Sequence, residues 1–275
     1  MQIINVLVAK IYILRNYFIL GALLLVIFPL PFAQLRIVLP QAGLSGREDA
    51  GESTSLVAAF FGEETPENVA NSIVKERAEF ISTRGAYPAS LKVIQKHEDT
   101  IRQKAEQYGV PADVALGVGL LENGGSETAK STAGALGIFQ LMPSTARNLG
   151  LTVNSKVDQR KDPATNIDAG MRYLKSNYQI FGDWGLATWA YHAGEGNVAK
   201  AVKLYFQEKH DVKLAGLKDA DQMKRHIEKN DASVHNVLSN SAVKKFTKKL
   251  HDDSTGYPYK VLATAKLFKN SPNSR

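Results

Sequence analysis

The stretch Ala115-Leu-Gly-Val-Gly-Leu-Leu-Glu122-Asn-Gly-Gly125 places one carboxylate at the end of a long apolar run. Pro111-Ala-Asp113 precedes the run and predicts the start of a helix that ends near Glu122. A carboxyl group that faces a cleft of low dielectric has a raised pKa, as a general acid at neutral pH requires. A solvated glutamate in the last turn of a helix is the alternative. This segment alone favours neither interpretation.

The residues after Glu122 continue in a distinctive spacing. They are Ala129, Ser131, Gly134-Ala135, Gly137 and Gln140, followed by Leu141-Met142-Pro143 and Thr145. This spacing resembles that of the lytic transglycosylases of the soluble-transglycosylase (SLT) type, which are relatives of goose-type lysozyme. Asn123 stands where that family usually has Ser, and Ile138-Phe139 where it has Leu-Met.

The resemblance continues towards the C-terminus. Asp162-Pro163 and Asn166 match the family's Asp-Pro-x-x-Asn helix start, and residues 190–196 match its Ala-Tyr-Asn-Ala-Gly-x-Gly, with His192 in place of Asn. The segment 253–263 follows the family's Glu-Thr-Arg-Gly-Tyr-Val pattern loosely. The resemblance is strong over residues 91–206 and weak over residues 253–267, and it implies a lysozyme-like fold.

The hydrophobic pattern also predicts a mainly α protein. Apolar residues recur three or four apart from about Leu91, Asp162 and Asp183 are typical helix caps, and no segment has convincing strand alternation. We expect a lysozyme-like SLT domain over residues 85–270, in which residues 207–252 form a charged helical insertion that the family pattern does not need.

The N-terminal segment 1–39 is almost continuously apolar, and residues 17–33 are its uninterrupted part. Lys10 and Arg15 precede this part and would stay cytoplasmic, which directs the rest of the chain outward. We prefer an uncleaved membrane anchor over a cleaved signal segment, followed by a linker and a helix over residues 40–84. The expected location is the cell envelope, with the catalytic domain outside the cytoplasm, or secretion.

Composition limits the possible cofactors and partners. The 275-residue chain has no cysteine, which excludes disulfides and thiolate metal sites, and no His-Glu-x-x-His pattern, so we expect no metal and no cofactor. The formal net charge of +7 favours anionic partners. The lysine-rich segment 244–249 could bind nucleic acid or an anionic wall polymer, but a solvated helix face is favoured, and we expect no nucleic acid partner.

The resemblance implies a function and a site. Glu122 would be the only catalytic acid, because the substrate supplies its own nucleophile: it would protonate the leaving oxygen between N-acetylmuramic acid and N-acetylglucosamine, then act as a base on the muramyl hydroxyl that closes an anhydro ring. Tyr191 would orient the Glu122 carboxyl group. The substrate-binding residues would be Ser131, Gln140, Met142, Tyr191, Asn123, Phe139 and Tyr257, of which Met142, Phe139 and Tyr257 would supply apolar contact to sugar rings. His192 is expected to be structural.

Two alternatives stay open at this stage. The same fold could hydrolyse the bond, as goose-type lysozyme does. The chain could also be a non-catalytic glycan-binding component of a secretion or conjugation apparatus, although a binding module does not need a buried acid. The expected partners are peptidoglycan glycan strands, the cytoplasmic membrane through the N-terminal helix, and a machine that spans the cell wall.

Overall fold

The computed structural model describes residues 56–62, 65–250, 253–272 and 274, and in this part of the chain helices dominate and strands are limited to isolated bridges. Residues 56–61 are helical. The helices that follow are α1 Glu67–Ser82, α2 Tyr87–Tyr108, α3 Ala112–Glu122, α4 Pro143–Asn148, α5 Pro163–Phe181, α6 Trp184–Ala193, α7 Glu195–His210, α8 Ala220–Lys229, α9 Val234–Ser239, α10 Ser241–Thr247 and α11 Tyr257–Lys269. The prediction of a mainly α protein is confirmed.

The apolar helix α3 lies in the core, between α2 and α11. Its residues 114–120 are all buried, as expected for a helix that is apolar on every side. A Cβ atom on Gly117 would lie 2.5 Å from the carbonyl oxygen of Val261, so the close approach of α3 and α11 requires glycine there. The Thr264 hydroxyl donates to the Gly117 carbonyl at 2.7 Å. These contacts fix the position of Glu122 at the end of α3.

The caps expected from the sequence begin α5 and α6. The Asp162 carboxylate accepts the backbone N–H of Thr165 at 2.8 Å, and that of Asp183 accepts the N–H of Leu186 at 2.6 Å. Because such caps satisfy N–H groups that a helix leaves without partners, they fix where each helix begins. α5 packs against α2 and α6, and α6 packs against α7 and α11.

The folded body extends beyond the expected boundary at residue 85. Helix α1 packs against α11, and the buried Phe61 ring lies 5.4 Å from the ring of Tyr259 on α11. Residues from 56 onward therefore contribute to the core, although the sequence suggested a linker there. The expected N-terminal segment 1–39 and the linker up to residue 55 lie outside the described residues, and no helix among the described residues is long and apolar enough to cross a membrane.

The segment 207–252 is helical, as expected, but it is part of the core. Met223, Ile227, Val234 and Val243 are buried among the residues of the main hydrophobic cluster. Helix α8 packs on α5, and α10 packs on α7. The sequence did not indicate that these residues are buried, because the charged residues between them dominate the segment.

Candidate active site

Asn123 follows Glu122 and turns the chain away from α3. Its side chain is fully buried and donates to the carbonyls of Gly119 at 2.8 Å and Ser90 at 3.2 Å, while its Oδ1 accepts the N–H of Gly125 at 2.7 Å. Gly124 and Gly125 both have positive φ. The expected role of Asn123 in substrate binding is therefore corrected: its polar atoms hold the turn that positions Glu122.

The Glu122 carboxyl group receives one hydrogen bond, from the hydroxyl of Tyr257 on α11. The distance from Tyr257 Oη to Glu122 Oε1 is 2.7 Å. Burial raises the pKa of Glu122 to about 7, and this hydrogen bond opposes the shift by stabilising the charged form. Since a general acid must hold its proton near the working pH, the carboxyl group is suited to proton transfer at neutral pH.

Tyr191 does not orient Glu122, so that prediction is wrong. Its hydroxyl donates to the backbone carbonyl of Phe139 at 2.6 Å. Burial first, and the nearby Glu122 charge second, raise the pKa values of Tyr191 and Tyr257 well above 10.0. Both phenols therefore stay neutral hydrogen-bond donors, one to the Glu122 carboxyl group and one to the backbone of the neighbouring loop.

His192 stacks on the ring of Tyr257. The two ring centroids are 4.5 Å apart and the planes are inclined by 15°. Adjacent residues of a helix point about 100° apart, which is why Tyr191 is buried while His192 is exposed. This stacking gives His192 a structural role beside the ring that holds Glu122.

The loop 129–141 follows the turn after Glu122 in the chain. It folds back on itself through isolated bridges that pair Leu136 with both Lys130 and Leu141. The amide nitrogen of Gln140 donates to the carbonyls of Ala129 at 2.7 Å and Gly137 at 2.9 Å, and Ser131 Oγ accepts the N–H of Ala135 at 3.0 Å. Gln140 and Ser131 are half-buried, so their expected contacts with sugar stay predictions.

The same loop is held from behind by two buried polar side chains. Asn166 accepts the N–H of Phe139 at 2.8 Å and donates to the carbonyls of Leu136 and Arg160. Arg160 donates to the carbonyls of Gly134 and Leu141, both at 2.8 Å. The carbonyls of Leu136 and Leu141 also accept each other's backbone N–H groups, so the two side chains reinforce the backbone pairing that shapes the loop.

Phe139 in the loop and Met142 directly after it differ in exposure. Phe139 is fully buried, and a Cβ atom on Gly170 would come within 2.6 Å of its ring, so its expected contact with sugar rings is corrected to a core role. Met142 is 39% exposed, which is compatible with its expected apolar contact to substrate. Tyr257 is only 4% exposed and acts on Glu122 instead of on a sugar ring.

The other nearby carboxylates are engaged elsewhere. Glu127 pairs with Lys96 at 2.6 Å and His97 at 2.9 Å, and these hydrogen bonds lower its pKa. Glu195 accepts from the Tyr173 hydroxyl at 3.4 Å. Within the described residues no group of three or more His, Asp or Glu side chains could hold a metal ion. Glu122 is therefore the candidate acid of this site.

Comparison with known proteins gives independent evidence about the family that the sequence resembles. The family described as "Transglycosylase SLT domain" matches residues 99–213. The matched range includes Glu122 and the loop that follows it. The resemblance suggested by the spacing after Glu122 is thereby confirmed.

Three curated proteins are similar in sequence to part of this chain. The chain is 29% identical over 150 residues to "Membrane-bound lytic murein transglycosylase D" of Escherichia coli (strain K12), covering 53% of this chain and 32% of the relative. It is 36% identical over 109 residues to "Transglycosylase" of Enterobacteria phage PRD1, covering 39% of each. It is 32% identical over 107 residues to "Soluble lytic murein transglycosylase" of the same E. coli strain, covering 37% of this chain and 17% of the relative. The chain spans about a third of the length of the first of these relatives.

Two important residues of the site were not assigned their roles by sequence analysis. Tyr257 lies outside the matched SLT range, and only the loose Gly256-Tyr257 similarity pointed to it. No feature of the sequence indicated a buried role for Arg160, because a charged residue in a polar stretch is normally solvated. Its burial depends on Asp158, whose carboxylate pairs with it at 2.8 Å.

Proposed function

We propose that this protein is a peptidoglycan lytic transglycosylase in which Glu122 is the general acid and base. The observation that carries the proposal is the isolated, half-buried Glu122 carboxyl group, whose pKa is about 7 and whose orientation is fixed by Tyr257. The SLT domain and the names of its relatives support the same substrate class.

The geometry suggests how the proton is held. The Tyr257 hydroxyl donates to Oε1, so in the neutral acid the proton lies on Oε2. From Oε2 it passes to the glycosidic oxygen as the bond to the muramyl anomeric carbon breaks. By resemblance to the family, the substrate's own acetamido or hydroxyl group attacks that carbon. The Glu122 carboxylate then takes the proton of the muramyl hydroxyl that closes the anhydro ring, which restores the acid without consuming water.

The product distinguishes this function from hydrolysis. Purified peptidoglycan is incubated with the full chain, and the released fragments are analysed by mass spectrometry. Anhydromuramyl ends support the proposal, whereas reducing muramyl ends indicate a lysozyme-like hydrolase. If the wild type releases neither kind of end, the proposed activity is wrong.

The variant Glu122→Gln tests the assignment of the acid. It preserves shape but cannot donate the proton, so activity should fall by a factor on the order of 10² or more. Glu127→Gln is the matched control, because Glu127 is held by Lys96 and His97 and should be dispensable for chemistry. A Glu122→Gln protein that cleaves peptidoglycan at nearly the wild-type rate would contradict the assignment.

The proposed location is the cell envelope, where peptidoglycan lies. The curated relatives include proteins named as membrane-bound and as soluble, so the family accommodates both. We infer from the apolar residues 17–33, with Lys10 and Arg15 before them, that this chain is anchored in the cytoplasmic membrane with its SLT domain outside.

A further inference from the structure

A polar cleft lies beside the loop 129–141 and is not used by the chemistry at Glu122. Its volume is about 530 Å³, within the usual range of ligand sites. The cleft is lined by Thr128, Lys130, Leu136, Asn154, Ser155, Lys156, Val157, Asp158 and Lys161. A tight turn forms its far wall: Asn154 Oδ1 accepts the N–H groups of Lys156 and Val157, both at 2.9 Å.

The charge of the cleft is positive. Lys130, Lys156 and Lys161 are exposed, and none of them forms a salt bridge within the part of the chain that the structure describes. The only carboxylate in the lining, Asp158, is neutralised by Arg160, which donates to both of its oxygens at 2.9 and 2.8 Å. These lysines are therefore available for an anionic ligand.

The neighbouring carboxylates do not cancel this charge. Glu127 is bound by Lys96 and His97, and its pKa is lowered by them. Asp162 is directed to the start of α5, where it accepts the N–H and the hydroxyl of Thr165 at 2.8 and 2.5 Å. Because both acids already have partners, the lysines are the charges that meet a ligand in the cleft.

We propose that this cleft binds the carboxylate groups of the acidic peptide that peptidoglycan carries on its muramyl sugars. The proposal rests on the proposed function for the source of the ligand. Lys130 is the direct neighbour of Ser131, which we expect to contact sugar, so the cleft begins one residue, about 3.8 Å of chain, from the glycan site. A peptide of four residues spans up to about 14 Å and can reach from the glycan into the cleft.

The lining fits such a peptide better than it fits a bare sugar. Lysine ammonium groups attract carboxylates as point charges, and Thr128 and Ser155 add hydroxyl groups. Val157 is 47% exposed and offers an apolar surface to small side chains such as the methyl group of alanine. The cleft would therefore favour glycan strands that still carry their peptides.

Binding is tested first without any cleavage. The probe is the acidic peptide released from purified peptidoglycan by an amidase, titrated into the full wild-type chain and followed by calorimetry. Replacing the lysines in the triple variant Lys130→Gln/Lys156→Gln/Lys161→Gln should weaken binding on the order of tenfold, since three exposed ion pairs with the peptide are lost. The same peptide with its carboxylates converted to methylamides should bind every protein weakly.

The chain offers a matched control for the loss of charge. A second basic groove along α7 contains Lys200, Lys203 and Lys213. The triple variant Lys200→Gln/Lys203→Gln/Lys213→Gln has the same net charge as the cleft variant and should bind the acidic peptide like the wild type. Equal weakening in both variants would overturn the proposal, as would unchanged binding in the cleft variant. Tighter binding of a glycerol phosphate oligomer through the same lysines would also overturn it.

Cleavage then tests the consequence for substrate choice. The cleft variant should lose kcat/KM on peptidoglycan that carries peptides but retain the wild-type value on glycan strands stripped of them. An equal loss on both substrates would make the cleft a general glycan site and overturn the proposal. If the wild type cleaves neither substrate, the proposed enzymatic function fails, while the titration still decides whether the cleft binds the acidic peptide.

Discussion

At the scale of single residues, the pair Glu122 and Tyr257 controls the pH dependence of the proposed reaction. The Tyr257 hydroxyl stabilises the charged carboxylate and so holds the pKa of Glu122 below the value that burial alone would give. Activity that requires the protonated acid should fall as the pH rises through about 7.

The variant Tyr257→Phe removes that hydrogen bond and tests the pairing. The pKa of Glu122 should rise, so the descending limb of the pH–rate profile should move to higher pH. The maximal rate should also fall, because loss of a buried partner costs roughly 1–3 kcal/mol and leaves the carboxyl group less fixed. Tyr259→Phe is the control, since the Tyr259 hydroxyl contacts His235 at 3.0 Å instead. A descending limb that does not move in Tyr257→Phe would contradict this role.

The residues also show what sequence could and could not predict. The spacing after Glu122 identified the family and pointed to Glu122 as the proposed acid, but it assigned the orienting hydroxyl to Tyr191, the tyrosine that stands in the stronger motif. Local patterns do not reveal which of two buried tyrosines reaches a carboxyl group, because that depends on how α6 and α11 pack. Asn123 and Phe139 illustrate the same limit: both are next to site residues in the chain, yet both side chains point into the core.

At the scale of elements, the helices were predictable and the loop 129–141 was not. Periodic apolar residues and the caps Asp162 and Asp183 mark helices locally, so the positions of α5 and α6 agree closely with expectation. The loop is shaped by Asn166 and Arg160, which are distant in sequence from most of the carbonyls they bind. Such contacts have no local signature.

Two glycines of this loop allow a matched test of how it is held. Gly134 and Gly137 both have φ of 90°, but a Cβ atom on Gly137 would lie 2.2 Å from Asn166 Nδ2, whereas one on Gly134 meets nothing within 4 Å. Gly134→Ala should cost only the backbone strain, about 1–2 kcal/mol. Gly137→Ala should cost about 2 kcal/mol more, because Asn166 must move and leave buried groups without partners.

The difference between these two variants is measured by urea unfolding of each protein. Activity gives a second comparison, since the displaced loop should lower kcat/KM in Gly137→Ala more than in Gly134→Ala. Equal losses in the two variants would mean that backbone conformation alone matters and that Asn166 does not hold the loop.

At the scale of the whole molecule, the proposed membrane anchor makes a prediction about the full chain. The protein should sediment with membranes and resist extraction by high salt, because residues 17–33 would lie in the hydrocarbon core. Leu24→Arg should weaken this association, since a charge at the centre of a spanning helix costs about 2.5–3.5 kcal/mol. Leu217→Arg, on the exposed surface of the folded body, is the control. A purified protein whose N-terminal sequence starts near Gln34 would instead establish a cleaved signal.

The segment 207–252 makes the final prediction, which concerns cooperativity. If it belongs to the same core as the SLT domain, the two should unfold in one transition. Met223 on α8 is fully buried, so Met223→Ala should destabilise the protein by about 2–5 kcal/mol. Leu217→Ala is the control, because Leu217 is 45% exposed and surface changes stay within about 0.5 kcal/mol.

The two tryptophans of the chain make this prediction measurable. Trp184 and Trp189 both lie on α6, outside the segment 207–252, so their fluorescence reports on α6 and its surroundings, whereas circular dichroism reports on all helices. Because α8 packs on α5 and α10 on α7, loss of Met223 packing should reach α6 through the shared core. Both signals should therefore shift together to lower urea in Met223→Ala. An early transition in circular dichroism, with the tryptophan transition unmoved, would mean that the segment folds as a separate unit.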